Sequence, residues 1–540
     1  MTLNINERRV ILAHIWVAVG ALFVGTSFGL MQVYTRAGAT QASALFDYYR
    51  LLTAHGVLLA IVFTTFFICA IATYATFSTI PRQNRPLGFA WAAWWVMLIG
   101  TVMAAVEILA GNASVLYTFY APLKASPWFY LGATLLVAGS WVVMVDVLVQ
   151  IQAFKAANPG RKVPLPAFVA AVTFVMWFIA TLGVAGEMLL LIPWAFGWVP
   201  GVDVHLSRIM FWYFGHPLVY FWIMGAYMVW YTVIPRILKV PVWSDSLTRL
   251  AFLLLLLLSL PVGLHHQFMD PGISNTWKLL HTFLTLCVVL PSLMTAFAIF
   301  ATFEAYAAKQ GKRGFAAIVG SLPWENPAFT GSTLAMILFI FGGFGGIVNS
   351  SYSLDILVHN TMWVVGHFHI TVGGPVALTF LAVSYLMIPA LTGRQLMTPR
   401  LANAQVIGYF VGMSIMSIGM HVEGLLGAPR RTANLDYGNS IVSASWGSWS
   451  ILAAIGGTII FANIILYAFA LAGLIGVKAK GETDFAFAEA EDKESSPWWL
   501  NRLDLWVAAA LVLMIAAYTG PVVQHFTEGT IYLAPGARTW

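Results

Sequence analysis

The chain has 540 residues, of which 60% are hydrophobic and 9% charged, with a net charge of +6 and a mean hydropathy of +0.82. A soluble domain of this length carries far more surface charge, so these totals exclude one and indicate a polytopic membrane protein. The two cysteines, Cys69 and Cys287, both lie in apolar stretches, which excludes a disulfide framework and a cysteine-rich metal site.

Thirteen apolar segments are long enough to cross a bilayer as helices: 10–33, 51–75, 88–111, 127–153, 167–196, 208–234, 248–268, 276–302, 331–349, 359–390, 403–427, 448–475 and 503–525. The loops between them are mostly short and rich in Pro, Gly and Asn. Arg8 and Arg9 precede a first span too long to be the apolar region of a signal peptide. The acidic run 482–494 reads as a solvated loop. No internal repeat or separate soluble domain stands out, so the chain reads as a single all-α transmembrane domain, 1–540.

Charge asymmetry predicts orientation. The N-terminal tail and the loops after even-numbered spans hold 19 of the 27 Lys and Arg, among them Arg8, Arg9, Arg82, Arg85, Lys478, Lys480 and Lys493. The positive-inside rule then places the N-terminus in the cytoplasm and the C-terminus outside. Because the basic residues lie in these short loops, the net charge is no nucleic-acid footprint.

Histidines recur inside the spans, where an ionisable group is costly and usually functional. The alternative for each one alone is a hydrogen bond across helices. In the second span His55 stands in TAHG, with Gly56 leaving room for a flat macrocycle. In the sixth, His216 and Tyr220 of GHPLVY are one helical turn apart and share a face. The adjacent pair His265–His266 falls near the end of the seventh, where irregular backbone can aim both at one ion. The tenth carries His359, His367 and His369. The last two differ by about 200° of helical rotation, so one helix offers an imidazole to each flank. Neutral imidazole ligates haem iron and copper, and three imidazoles without cysteine suit a copper site with an open position.

With TAHG, GHPLVY, the pair 265–266 and HFH at 367–369, the chain resembles the catalytic subunit of the haem-copper oxygen reductases over nearly its whole length. The resemblance implies that family's fold and roles. His55 and His369 become the axial ligands of a b-type low-spin haem, and His367 the proximal ligand of a high-spin haem of a or o type. His216, His265 and His266 hold copper B, and Tyr220 is covalently linked to His216. Leu218 stands where the large A-type branch has a glutamate, which removes the end of one proton channel. Tyr220 sets the chain apart from the C-type branch and the nitric oxide reductases. The stretches 115–124, 265–273 and 291–297 are similar to the B-type branch.

That branch implies one proton-uptake route: Ser244, Tyr231, Tyr227, Ser292 and Thr295, leading to Tyr220. Tyr220, Tyr227 and Tyr231 make one polar stripe on an apolar helix, while a further threonine of the route is replaced by Ala298. On the outer side Asp355, His359, Asn360, Arg430 and Arg431 are placed to meet haem propionates, and paired arginines suit carboxylates. Glu107, Asp146, Glu187 and Glu423 receive no role.

The implied activity is that of a cytochrome c oxidase in a bacterial or archaeal cell membrane. It reduces O2 to water with electrons from a c-type cytochrome or similar donor and pumps protons. The dinuclear copper entry site belongs to a separate subunit II, since the cysteine pair it needs is absent here. Other expected partners are membrane lipid and small accessory subunits; nucleic acid is not one. A quinol donor is the alternative electron source. Nitric oxide reduction and plain haem-based electron transfer are the competing functions. Tyr220 opposes the first, and His216, His265 and His266 together oppose the second.

Overall fold

Among the described residues of the computed structural model, thirteen helices are long and apolar enough to cross a membrane. They are α1 (Ile5–Arg36), α2 (Tyr48–Thr79), α3 (Gly88–Leu109), α4 (Pro127–Ala157), α5 (Leu165–Phe196), α6 (Val204–Leu238), α7 (Asp245–Gln267), α8 (Asn275–Ala308), α9 (Pro327–Ser350), α10 (Met362–Thr392), α11 (Pro399–Leu425), α12 (Ile441–Ala472) and α13 (Leu503–Glu528). The structure describes residues 3–40, 47–80, 87–396, 398–438, 440–474, 488, 490, 496–528 and 533–536. Arg82, Arg85, Lys478, Lys480, Lys493 and the acidic run 482–494, except 488 and 490, lie outside them.

Every predicted span is present, with ends shifted by a few residues. The starts follow local chemistry. Asn4, Asp47, Ser126, Asp203, Ser244 and Asn326 each accept backbone N–H bonds of the first turn of α1, α2, α4, α6, α7 and α9. The largest shift concerns α12, whose helical stretch begins at Ile441 rather than 448. The start of α10 at Met362 leaves His359 and Asn360, both inside the predicted span 359–390, in the turn before the helix.

Three spans contain π- or 3₁₀-helical stretches, and each stretch holds or closely follows a histidine. A π-helical stretch, Val57–Phe63, begins two residues after His55. Another, His369–Gly373, begins at His369 itself, so the α-helical angle between His367 and His369 holds only up to that junction. In α7 the end is a 3₁₀ stretch, Leu260–Gln267, broken at Pro261 (φ −88°, ψ 33°). Regular geometry gives way at functional positions in this manner because a side chain must be re-aimed without ending the helix.

The enclosed spans carry the chemistry. Between 83% and 89% of the apolar stretch of α2, α5, α6 and α10 is buried, against 22% for α13. His55, His216, His367 and His369 all sit on three of those four. Alternation of the spans puts every odd-to-even loop on the side opposite the N-terminus, which gathers Tyr120, Asp270, Asp355, His359, Arg430 and Arg431 at one end. A two-residue strand β1 (Val202–Asp203) pairs antiparallel with β2 (Leu533–Ala534) at that end.

At the other end the start of α7 is fixed by a buried ion pair. Arg249 donates to Asp245 at 2.6 and 3.1 Å and to the Val163 carbonyl at 2.7 Å. The Ser496 hydroxyl donates to Asp245 at 2.7 Å and accepts from Lys162 at 2.8 Å. Removing one partner strands a buried charge, so Arg249→Leu is expected to cost about 3–5 kcal/mol and to lower the melting temperature of the purified protein. Arg249→Lys should lose less.

Candidate metal centre

A cavity of about 540 Å³ runs between the spans and is lined by His55, His216, His265, His266, His367 and His369 together with Tyr220. At its α2 end, His55 Nδ1–H donates to the Gly25 carbonyl at 2.9 Å, and His369 Nδ1–H donates to the Val365 carbonyl at 2.8 Å. A carbonyl only accepts, so both rings keep their proton on Nδ1 and offer Nε2 as a lone pair. The two ring centroids are 6.1 Å apart with planes 19° from parallel. Two imidazoles bound through bonds of about 2 Å to opposite sides of one ion have centroids roughly 6 Å apart. Gly29 makes this possible, because a Cβ there would stand 2.7 Å from His55 Nδ1 and Cε1. Gly56 lines the cavity as well, but its open side faces Tyr117, where a Cβ would meet the side chain at 2.9 Å.

His367 turns to another wall of the cavity. A Cβ on Gly345 of α9 would come within 2.6 Å of His367 Nδ1, so the bare backbone of α9 lets the imidazole stand there. Phe368, between the two histidines, has Tyr117 at 5.8 Å and Trp222 at 5.6 Å between ring centroids.

The second cluster joins α6 and α7. One ligand atom each from His216, His265 and His266 lies within 4.8 Å of the others. His216 Nδ1 is 2.8 Å from His266 Nε2, and His216 Nε2 is 3.1 Å from the Tyr220 hydroxyl. The Thr285 hydroxyl donates to the His281 carbonyl at 2.6 Å, so its oxygen accepts from His265 Nδ1–H at 3.0 Å. That bond leaves His265 Nε2 as a lone pair. Trp212 stacks on His266 at 4.0 Å and 12°. Because His265 commits its proton to Thr285, it brings only a lone pair to the cluster, and a small contraction would bring a nitrogen of each ring within ligating distance of one ion. The donor set, all nitrogen with a fourth side open to the cavity, fits copper.

The end opposite the N-terminus is polar. His359 Nδ1 lies 2.7 Å from Asp355 Oδ2, both side chains nearly buried. Met362 N–H donates to the Ala428 carbonyl at 2.8 Å and Arg430 N–H to the Asn360 carbonyl at 3.0 Å, which locks the turn before α10 against the loop after α11. Asn360 (φ 57°) and Arg431 (φ 56°) are held in the left-handed region, a cost that recurs at ligand clamps. Arg431 donates to the Tyr120 hydroxyl at 2.7 Å, and its Nη2 is buried with no hydrogen-bond partner among the described residues. Burial and then the charge of Arg431 pull Arg430 down to about 10. Burial raises the Tyr120 hydroxyl, but Arg431, Arg208 and Arg430 outweigh it and bring it below its ordinary value. This is an excess of positive charge looking for anions, and haem carboxylates fit it.

Of the predicted proton route, Tyr231 donates to Thr295 at 3.1 Å, and Ser292, which lines the cavity, donates to the Val288 carbonyl at 3.4 Å. Ser244 caps α7 through Leu247 N–H at 3.2 Å. Ala298 is fully buried one turn below Thr295, and Thr302 one turn further on donates to the Ala298 carbonyl at 2.8 Å. Of the acidic residues left without a role, Glu423 pairs with Arg36 at 3.0 Å and Glu187 accepts from Ser207 at 2.9 Å.

Sequence reasoning missed Thr285 and His281, which hold the His265 segment. It also missed Tyr120 and Arg208, which lies over the Tyr120 ring at 4.7 Å and pairs with Asp270 at 2.7 Å. The stretch 115–124 was the available signal for Tyr120. Arg208 is a charge inside a span and deserved the scrutiny given to the histidines. Replacing Arg431 by Gln is expected to release Tyr120 and weaken any carboxylate held at this end, measurable as a changed midpoint potential of the adjacent group.

Known proteins resemble this chain along most of its length. The family model "Cytochrome C and Quinol oxidase polypeptide I" matches residues 9–459. Cytochrome c oxidase subunit 1 of Thermus thermophilus is 42% identical over 539 residues, covering 96% of this chain and 95% of its own. The corresponding subunit of Thermostichus vulcanus is 27% identical over 81% of this chain and 79% of its own. A haem-copper terminal oxidase dimer solved by cryo-EM superposes with a TM-score of 0.94 at 37% identity, over 99% of this chain and 96% of the other. With a near-complete family match and a 42% identical relative along its length, this chain belongs to the cytochrome c and quinol oxidase polypeptide I family, the subunit I proteins of the haem-copper oxidases.

Proposed function

We propose that the chain is the catalytic subunit of a B-type terminal oxidase that reduces O2 to water with electrons from a c-type cytochrome and pumps protons across a bacterial or archaeal cell membrane. The observation that carries the reading is the convergence of His216, His265 and His266 on one point, with the Tyr220 hydroxyl 3.1 Å from His216 Nε2. The chain works as one transmembrane domain with its N-terminus in the cytoplasm. Subunit II supplies a dinuclear copper entry site, and small accessory subunits and lipid complete the complex.

In this reading His55 and His369 hold a b-type low-spin haem, His367 holds a high-spin haem of a or o type, and His216, His265 and His266 hold copper B. These groups supply the electrons and the coordination positions for O2. Tyr220 and His216 act at the reacting centre. The Tyr220 hydroxyl, at mid-length of α6, delivers a proton there. It is resupplied from the cytoplasm by Ser244, by Tyr231 hydrogen-bonded to Thr295, and by Tyr227 with Ser292, the two tyrosines lying eleven and seven residues along α6 from Tyr220. Thr302 bridges the step that Ala298 interrupts. Arg430, Arg431 and Asn360 hold the propionates on the outer side. The Asp355–His359 pair, joined at 2.7 Å, borders the site where pumped protons are held.

The test is cyanide-sensitive oxygen uptake with reduced cytochrome c by the purified complex. His216→Ala should lose both copper and turnover. Tyr231→Phe should retain metals while slowing turnover about 10- to 100-fold, with proton uptake slowed in parallel. Gly29→Val should displace His55 and remove the low-spin haem while sparing the high-spin one, read by haem content and optical spectrum. Uptake of nitric oxide but not O2 would move the assignment to a reductase.

A further inference from the structure

The histidines 265 and 266 hang on a segment that cannot hold its own shape. The break at Pro261 ends the α-helical bonding of α7, and the 3₁₀ stretch that follows presents its N–H groups to neighbouring spans. Two of these find side-chain partners. Gly263 N–H donates to the Tyr518 hydroxyl oxygen at 2.9 Å, and Leu264 N–H donates to His281 Nδ1 at 3.4 Å. His281 is oriented in turn, because its Nε2–H donates to the Ala517 carbonyl at 3.1 Å, which fixes the tautomer whose Nδ1 is an acceptor. Its ring meets that of Tyr518 edge to face at 5.1 Å and 79°. The open side of Gly263 faces the Trp212 carbonyl as well as Tyr518, with no room for a Cβ, and Trp212 stacks on His266.

Both Ala517 and Tyr518 belong to α13. This span is the least enclosed of the thirteen, and its few buried residues include Ala510, Ala517, Tyr518, Pro521 and His525. It also lies beyond the family match, which ends at residue 459. A peripheral helix that buries its small contact face against the ligand-bearing segment has a local task. We propose that α13 is a positioning element of the copper site: Tyr518 and, through Ala517, His281 fix the backbone on which His265 and His266 are aimed. Tyr518 and His281 touch no metal. They act through Gly263 and Leu264, as outer groups act when they set the direction of a ligand. The inference rests on the copper reading above.

The test compares Tyr518→Phe with Tyr213→Phe in the intact complex. Tyr213 also joins α6 to α13, through Met514, but bonds nothing in the segment 260–267. The probe is carbon monoxide, photolysed from the reduced haem at low temperature and trapped on copper, with the C–O stretch read in the infrared. Copper and haem per chain are measured on the same samples. The expected result is a displaced or split C–O band, or reduced copper, in Tyr518→Phe with both haems retained, and an unchanged band in Tyr213→Phe. An unmoved band and full copper in Tyr518→Phe would overturn the inference. So would equal changes in the two variants, which would mean general loosening of α13. Absence of a copper band in the unmutated complex would remove the copper reading, and this inference with it.

Discussion

Imidazoles inside an apolar bundle must stay neutral, and a neutral imidazole has one donor and one acceptor. Here the donors are already engaged: His55 with Gly25, His369 with Val365 and His265 with Thr285. On these three rings what remains is a lone pair on each Nε2, in side chains that line one cavity. A metal cation would accept them, and much of the surrounding architecture follows from holding those lone pairs in place. The glycines at 29 and 345 give way to the rings. The irregular turns at Val57–Phe63, Leu260–Gln267 and His369–Gly373 aim them.

The polar layer at the end opposite the N-terminus answers the same demand from the opposite charge. Arg430 and Arg431 are packed side by side, with Tyr120 and Arg208 close by, and the Asp355 carboxylate is already paired with His359. Left-handed backbone at Asn360 and Arg431 shows that the fold accepts local strain to keep the guanidiniums at this spot. A bound dianionic macrocycle would neutralise them while placing its iron at the depth of the histidines. In the proposed reading, the histidines and the arginine layer are two ends of one binding problem.

Much of this was legible in the sequence because lipid simplifies it. Length and hydropathy determine the spans, and any ionisable residue within them stands out against a uniform background. The six histidines and the Tyr220 turn were found that way. The irregular stretches were not, apart from the expectation of broken backbone at 265–266, because a π-turn such as Val57–Phe63 is made of ordinary apolar residues. The bracing groups Thr285, His281 and Tyr518 were hidden for a different reason. Their partners are 20, 17 and 255 residues away, and only tertiary packing brings them together.

The central claim is that the two histidine clusters hold two haems and one copper. Metal and haem quantification on the purified complex, with subunit II copper counted separately, tests it most directly. The account predicts two haems and one copper per chain of this subunit. Haem without copper, or additional iron in its place, would contradict it.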